Sequence, residues 1–294
     1  MQSNNPVFRR SDAFSGASSN AYGNQTYPGN GASFQGYGQQ PYGQPGYAEP
    51  GAQPGYGVPA QAGAPMTIDS VVQKTGISLA IVIVAAALTW MMTGDITTTD
   101  GQGALYLALM VGSFGAFALA MVNSFKRVVS PALVIAFAAL EGVALGAFSK
   151  VIDANFATSG SGSLVVQAVI GTFAAFAGTL AAYKFFDIKV GQKFRTFVIA
   201  AMFGMVGLGL LEMVLAVFGN QFGLFGFGAL GALFAVAGLV LGVFMLILDF
   251  DFVEQGVAAG IPERESWRAA FAMTVSLVWI YTNLLRLLAI FNQE

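Results

Sequence analysis

A series of apolar runs, each about 20 residues long, constrains the fold of this chain more than any other feature and begins after Pro65. A helix rising 1.5 Å per residue needs about that many residues to cross a bilayer core of roughly 30 Å. Only 10% of the residues are charged, against about 25% in soluble domains, so lipid must be the solvent for most of the chain. The pattern predicts an all-α integral membrane protein whose seven transmembrane helices cover residues 76–93, 104–125, 128–149, 163–183, 197–219, 226–248 and 269–291.

The first 65 residues have a different composition. Tyr-Gly pairs recur there among Gln, Pro, Ser and Asn, and Leu, Ile and Val are almost absent. Such a segment buries too little apolar surface to offset its ordering entropy. We therefore expect a disordered Gly/Tyr/Pro/Gln-rich tail over residues 1–65 and a membrane domain over residues 66–294. The tail is either inert or a weakly self-associating or docking segment.

Basic residues predict the orientation, because cytoplasmic loops carry an excess of Lys and Arg. The side opposite the N-terminus keeps Lys150, with Asp95, Asp100 and Asp153. The sequence thus predicts a multi-pass protein with a cytoplasmic N-terminus and an outer C-terminus. Nine basic residues then share the cytoplasmic side: Lys74, Lys126, Arg127, Lys184, Lys189, Lys193, Arg195, Arg264 and Arg268.

Missing residue types narrow the function. The chain has no His and no Cys, which excludes His-ligated zinc, Ser-His dyads, Cys nucleophiles and disulfides. No nucleophile–base pair is visible, so we expect no enzyme activity and no resident cofactor. A net charge of -2 gives no reason to expect a nucleic-acid partner.

Charged residues inside the spans are the candidate functional groups, since each is costly in lipid. Two of them have structural alternatives: Glu212 pairs with Arg286, or Arg286 extends outward to the headgroups. Glu141 is either a structural carboxylate or an interior polar group of the transport path. The richest cluster follows the sixth apolar run and contains Asp249, Asp251 and Glu254.

Helix geometry limits how this cluster can act. Asp249 and Asp251 are two residues apart, so their side chains point about 200° apart. We expect one of them to face the bundle interior and the other to face headgroups or cytosolic water. A buried carboxylate beside a second one would change its charge nearer physiological pH, which is a route to a pH-gated cation path without His.

Three motifs, in this order, carry a family resemblance: AALEG at residues 138–142, LDFDFVEQG at 248–256 and YTNLLRLL at 281–288. Over roughly residues 66–294 the chain resembles the Bax inhibitor (transmembrane Bax inhibitor motif) family, and it looks like the bacterial branch with a Gly/Tyr-rich N-terminus. The resemblance implies a central last helix wrapped by the other six. It also implies a pH-sensitive calcium leak in which one aspartate of helix six and one of helix seven share a proton.

Carried onto this chain, the sixth-helix aspartate is Asp249, with Asp251 as the alternative. The seventh-helix position falls on Asn283 by motif or on Ser276 by depth, and neither can titrate with a carboxylate.

Two functions follow from these observations. In the first, the chain is a pH-sensitive cation leak channel for calcium in the bacterial inner (plasma) membrane, gated by carboxylates at the cytoplasmic end of helix six, with calcium or protons as its partners. Asp249 and Asp251 are then the calcium ligands, because hard cations prefer oxygen. Glu254 completes the gating carboxylates, while Glu141 and Arg286 are interior polar groups. In the second, the chain regulates other membrane proteins, such as a membrane protease, without transport.

Overall fold

The computed structural model describes residues 64–94, 96, 98–157 and 163–293. Within them, all seven long helices are apolar enough to cross a membrane, and no β-strand forms apart from a single bridge between Pro65 and Pro262. The predicted all-α fold with seven transmembrane helices is confirmed, whereas the predicted tail lies almost entirely outside the described residues. The helices are α1 (Ile68–Met92), α2 (Thr99–Phe125), α3 (Pro131–Phe156), α4 (Leu164–Phe185), α5 (Gln192–Val217), α6 (Ala229–Ala258) and α7 (Ser266–Phe291), with a short 3-10 helix (Glu263–Glu265) before α7.

Helix ends extend beyond several of the predicted apolar runs. Helix α1 begins at Ile68, where Thr67 and Ser70 form a reciprocal capping box. Helix α6 continues to Ala258 and ends before Gly260, whose φ of +62° favours glycine. The three carboxylates of residues 249–254 therefore lie on the last turns of α6, past the end of the apolar run at residue 248 and within the same helix, as the helix-geometry argument assumed.

The last helix is the central element of the bundle, as the resemblance implied, but its main contacts are with four of the other six helices. It packs against α1, α3, α4 and α6, while α2 packs mainly against α3 and α5 mainly against α6. Three nearby residues of α7 that point in different directions, Thr274, Ser276 and Leu277, are all buried.

Small residues make the closest helix contacts. A Cβ at Gly142 would collide with the carbonyl oxygen of Val82, and one at Gly146 with that of Ala86. Helices α1 and α3 thus approach through their backbones, as is usual for helices in lipid.

Two other pairs of small residues four apart behave differently from each other. Gly238 and Gly242 lie against Asn283 and Ile280 of α7, so α6 and α7 cross closely there. Gly178, four residues after Ala174, has no atom within 4 Å of where a Cβ would stand. That side of α4 therefore meets no neighbouring helix at this point.

Candidate functional site

The candidate site lies at the end of the bundle where α1, α3, α5 and α7 begin, which we call the basic end. Helices α2, α4 and α6 finish there, so all nine basic residues predicted to share one side lie at this end or in its loops. Its polar side chains link neighbouring helices: the hydroxyls of Ser70 and Ser266 are 2.7 Å apart, and Lys74 pairs with Glu263 at 2.9 Å.

Asp249 meets the central helix. Its carboxylate accepts a hydrogen bond of 2.6 Å from the Oγ of Ser276, which is only 1% exposed. A length of 2.6 Å is in the range of charge-assisted O–H···O⁻ bonds. Of the two alternatives on α7, Ser276 is the residue in contact with Asp249, whereas Asn283 donates to the carbonyl of Trp279 in its own helix.

Asp251 is held by a different neighbour. The Nη2 of Arg195, on α5, lies 2.6 Å from its Oδ2, and the Nε2 of Gln255 donates to the same oxygen at 2.7 Å. The two aspartates do point to different sides, as predicted. The second does not face headgroups or water, however: Asp251 is 7% exposed because α5 covers it.

Glu254 lies one turn further on and is exposed at the mouth of the basic end. The hydroxyl of Tyr183, from α4, donates to its Oε2 at 2.5 Å. The three carboxylates of α6 are therefore fixed by three different helices.

This distribution bears on the predicted calcium ligands. Asp249 and Asp251 take different partners and do not converge on one cation position. No group of three acidic side chains arranged to hold a metal ion occurs in the part of the chain that the structure describes.

Glu141 lies at nearly the same depth as Asp249, on the other side of α7. The rings of Phe137 and Phe271 are 5.0 Å apart, and the hydroxyls of Ser149 and Tyr281 are 2.6 Å apart, so α3 and α7 run in parallel. One turn after Phe137, Glu141 is therefore within about one helical turn of the level of Ser276. No hydrogen bond or ion pair joins it to a described residue.

Glu212 and Arg286 both hold the loop between α5 and α6. Glu212 accepts hydrogen bonds of 2.8–3.1 Å from the backbone N–H groups of residues 222–224. Arg286 donates to the carbonyl of Leu224 at 2.8 Å and lies over the ring of Phe225. Glu212 and Arg286 therefore do not pair directly, as one alternative from the sequence had it, but bind the same loop. Arg286 is 7% exposed, so it does not extend to the headgroups either.

Some interactions cannot be predicted from the sequence. No local pattern relates Arg195 to Asp251 or Tyr183 to Glu254, because these partners are 56 and 71 residues apart along the chain. Lys150 likewise shows only its charge in the sequence. Its ammonium group caps α1 by donating to the carbonyls of Trp90, Thr93 and Gly94.

Seven helices able to cross a membrane, the last of them central, with a carboxylate hydrogen-bonded to that helix, define the class as a multi-pass membrane protein. The family model described as Bax inhibitor 1 like matches residues 5–293. The chain belongs to this family, which confirms the resemblance seen in the motifs. The match begins at residue 5 and so includes most of the Gly/Tyr-rich segment. No match is found among curated proteins.

Proposed function

We propose that this protein is a cation leak channel of a bacterial inner membrane, that calcium is its ion, and that Asp249 is its gating carboxylate. The observation that carries the proposal is the hydrogen bond between Asp249 and Ser276 at the α6–α7 crossing. It joins an acidic group to the central helix in a domain where such groups are costly and so mark ion paths. The N-terminus and the basic end face the cytoplasm in this proposal, in line with the distribution of Lys and Arg.

The three carboxylates have different roles. Asp251 is neutralised by Arg195 and fixes α5 on α6. Glu254, exposed at the mouth, attracts and transiently binds the hard cation. A leak channel must bind a cation weakly enough to release it again. It therefore does not need a complete set of oxygen ligands around one cation position.

The pH response would be simpler than that of a carboxylate pair. Ser276 can donate a hydrogen bond to Asp249 but cannot titrate with it. A gate with one titrating carboxylate responds to one proton, so the flux should follow a single-proton dependence on pH.

Calcium flux into dye-loaded proteoliposomes, measured against pH with the full chain, tests the proposal. Asp249→Asn should change the flux and flatten its pH dependence. Asp69→Asn is the matched control, because Asp69 is exposed at the same end in the first turn of α1. Wild-type flux and pH dependence in Asp249→Asn would refute the gating role.

Orientation can be tested separately, because the chain has no Cys. A membrane-impermeant thiol reagent added outside intact cells should label Asp100→Cys and leave Asp69→Cys unlabelled. The reverse pattern would overturn the proposed topology.

Regulation of other membrane proteins is the second candidate, and the neutral Ser276 favours it because a strict carboxylate pair is missing. Pull-downs with and without residues 1–65 separate the two. If deleting residues 1–65 abolishes the capture of partner proteins, and the wild type shows no calcium flux, the results would support regulation over transport.

A further inference from the structure

A groove of about 430 Å³ runs along one side of the bundle. Its walls come from α1, between Leu79 and Met91, and from α4, between Val165 and Phe173, and its floor from α3 and α7. This volume falls within the usual range of ligand pockets, about 300–1,000 Å³.

None of the hydroxyl groups that line the groove is free to bind a ligand. Those of Ser149 and Tyr281 bond to each other at 2.6 Å, that of Thr172 donates within its own helix, and that of Ser163 donates to Asp153. The remaining lining is almost entirely apolar. Apolar cavities of this kind stay dry, so neither water nor a cation is a suitable occupant.

The opening of the groove faces sideways, toward the lipid. Ile83, Met91 and Phe173 line the groove and are nevertheless 50%, 78% and 47% exposed. From Leu79 to Met91 the groove follows α1 for 12 residues, which is about 18 Å at 1.5 Å per residue. One leaflet of the hydrocarbon core is about 15 Å thick, half of roughly 30 Å, so the groove spans the depth of one leaflet.

A positive charge lies at the end of the groove away from the basic end. Lys150 follows the lining residue Ser149, and its ammonium group donates to the carbonyls that end α1, next to the lining residue Trp90. Lys150 has no carboxylate partner among the described residues. The end of α1 takes up the N–H donors of Lys150, so Lys150 offers a phosphate its positive charge and not a hydrogen bond. Trp side chains are favoured at headgroup depth, so this end suits an anionic phosphate.

We infer that the groove holds one acyl chain of a bilayer phospholipid, with its phosphate at the level of Lys150. The chain would lie against Leu277 and Tyr281 of α7 and so contact the central helix directly. This lipid site does not depend on the proposed leak, because none of the three α6 carboxylates lines it.

Photo-crosslinking tests the inference. The full-length protein is reconstituted in phosphatidylglycerol vesicles containing a small fraction of phosphatidylglycerol with a diazirine on its acyl chain, and crosslinked peptides are mapped by mass spectrometry. Crosslinks should concentrate on the groove-facing residues of α1, α3 and α4. They should decrease as unlabelled phosphatidylglycerol is added. At amounts of unlabelled lipid that abolish labelling of the lipid-facing Phe203 of α5, which is 69% exposed, some groove labelling should remain.

Two pairs of variants supply matched controls. Val169→Phe fills the groove, whereas Val166→Phe adds the same ring to an exposed site of the same helix. Val169→Phe should lower groove crosslinking about tenfold, which corresponds to about 1.4 kcal/mol of lipid-binding free energy, and Val166→Phe should leave it unchanged. If Val169→Phe fails to fold, Ala87→Phe with Ala80→Phe makes the same comparison on α1.

Groove labelling that is no more persistent than that of Phe203, or that survives both filling variants unchanged, would overturn the inference and leave ordinary annular lipid. A diazirine-labelled diacylglycerol, which carries the same acyl chains but no phosphate, should label the groove more weakly than the phosphatidylglycerol probe if the phosphate lies at Lys150. Equal labelling by both would refute the headgroup part.

Discussion

Replacing Ser276 by alanine removes the hydroxyl that donates to Asp249 and changes little else. The bond is 2.6 Å long, and Ser276 is buried in the central helix, so water cannot easily replace the lost donor. Alanine keeps the Cβ and the helix propensity of the position, so no cavity of consequence forms. The variant therefore isolates one contact between α6 and α7.

The expected size of the effect follows from the charge on Asp249. A hydrogen bond to a charged group contributes about 1.5–3 kcal/mol, which is about a tenfold to a hundredfold change in an equilibrium constant. If this bond is present in the closed arrangement and broken in the leak state, Ser276→Ala should raise the calcium flux by about that factor. The sign distinguishes a latch from an ion ligand, because removing a ligand would lower the flux.

Ser78→Ala is the control for this experiment. Ser78 is 0% exposed, but its hydroxyl donates to the carbonyl of Lys74 within α1 and joins no two helices. Both variants should be assayed in proteoliposomes at equal protein density, with thermal unfolding in detergent measured alongside. Flux from Ser276→Ala that equals that of the wild type and of Ser78→Ala would show that the bond plays no part in gating.

Two further predictions concern stability, measured by thermal unfolding in detergent. Gly142→Val should destabilise the bundle by about 1–3 kcal/mol or more, because its Cβ would collide with α1. Gly178→Val should have no effect, since no atom lies within 4 Å of its Cβ position. Equal losses of stability in the two variants would refute the backbone contact between α1 and α3. Arg195→Met should cost about 3–5 kcal/mol by leaving the charge of Asp251 buried and unpaired, and adding Asp251→Leu should recover most of it; additive losses would show that the pair is not coupled.

Most of the fold could be predicted because lipid leaves few alternatives. A backbone in hydrocarbon must satisfy its own hydrogen bonds, so runs of about 20 apolar residues become helices. Which small residues meet a neighbour could not be predicted in the same way. Gly142 and Gly178 occur in similar spacings, but only the first faces another helix, and that depends on the tertiary arrangement.

The site was only partly predictable. Depth placed Ser276 opposite Asp249, and the structure has that contact. The pair formed by Arg195 and Asp251 joins residues 56 apart and has no local signal. Helix α6 also continues beyond its apolar run and ends at Ala258. Its carboxylates bind partners on neighbouring helices, so they need no solvated loop.

The contacts of the three carboxylates explain why Asp249 is the best candidate for a switch. Neutralising Asp251 would break its buried ion pair with Arg195, at a cost of about 3–5 kcal/mol. Glu254 is exposed, so water screens its charge, and a change in that charge has little electrostatic effect on the helix bundle. Asp249 has a neutral partner, Ser276, and can gain or lose a proton without leaving an opposite charge unpaired. Among the three, only Asp249 combines contact with the central helix and freedom to change charge, and a gate at this end requires both.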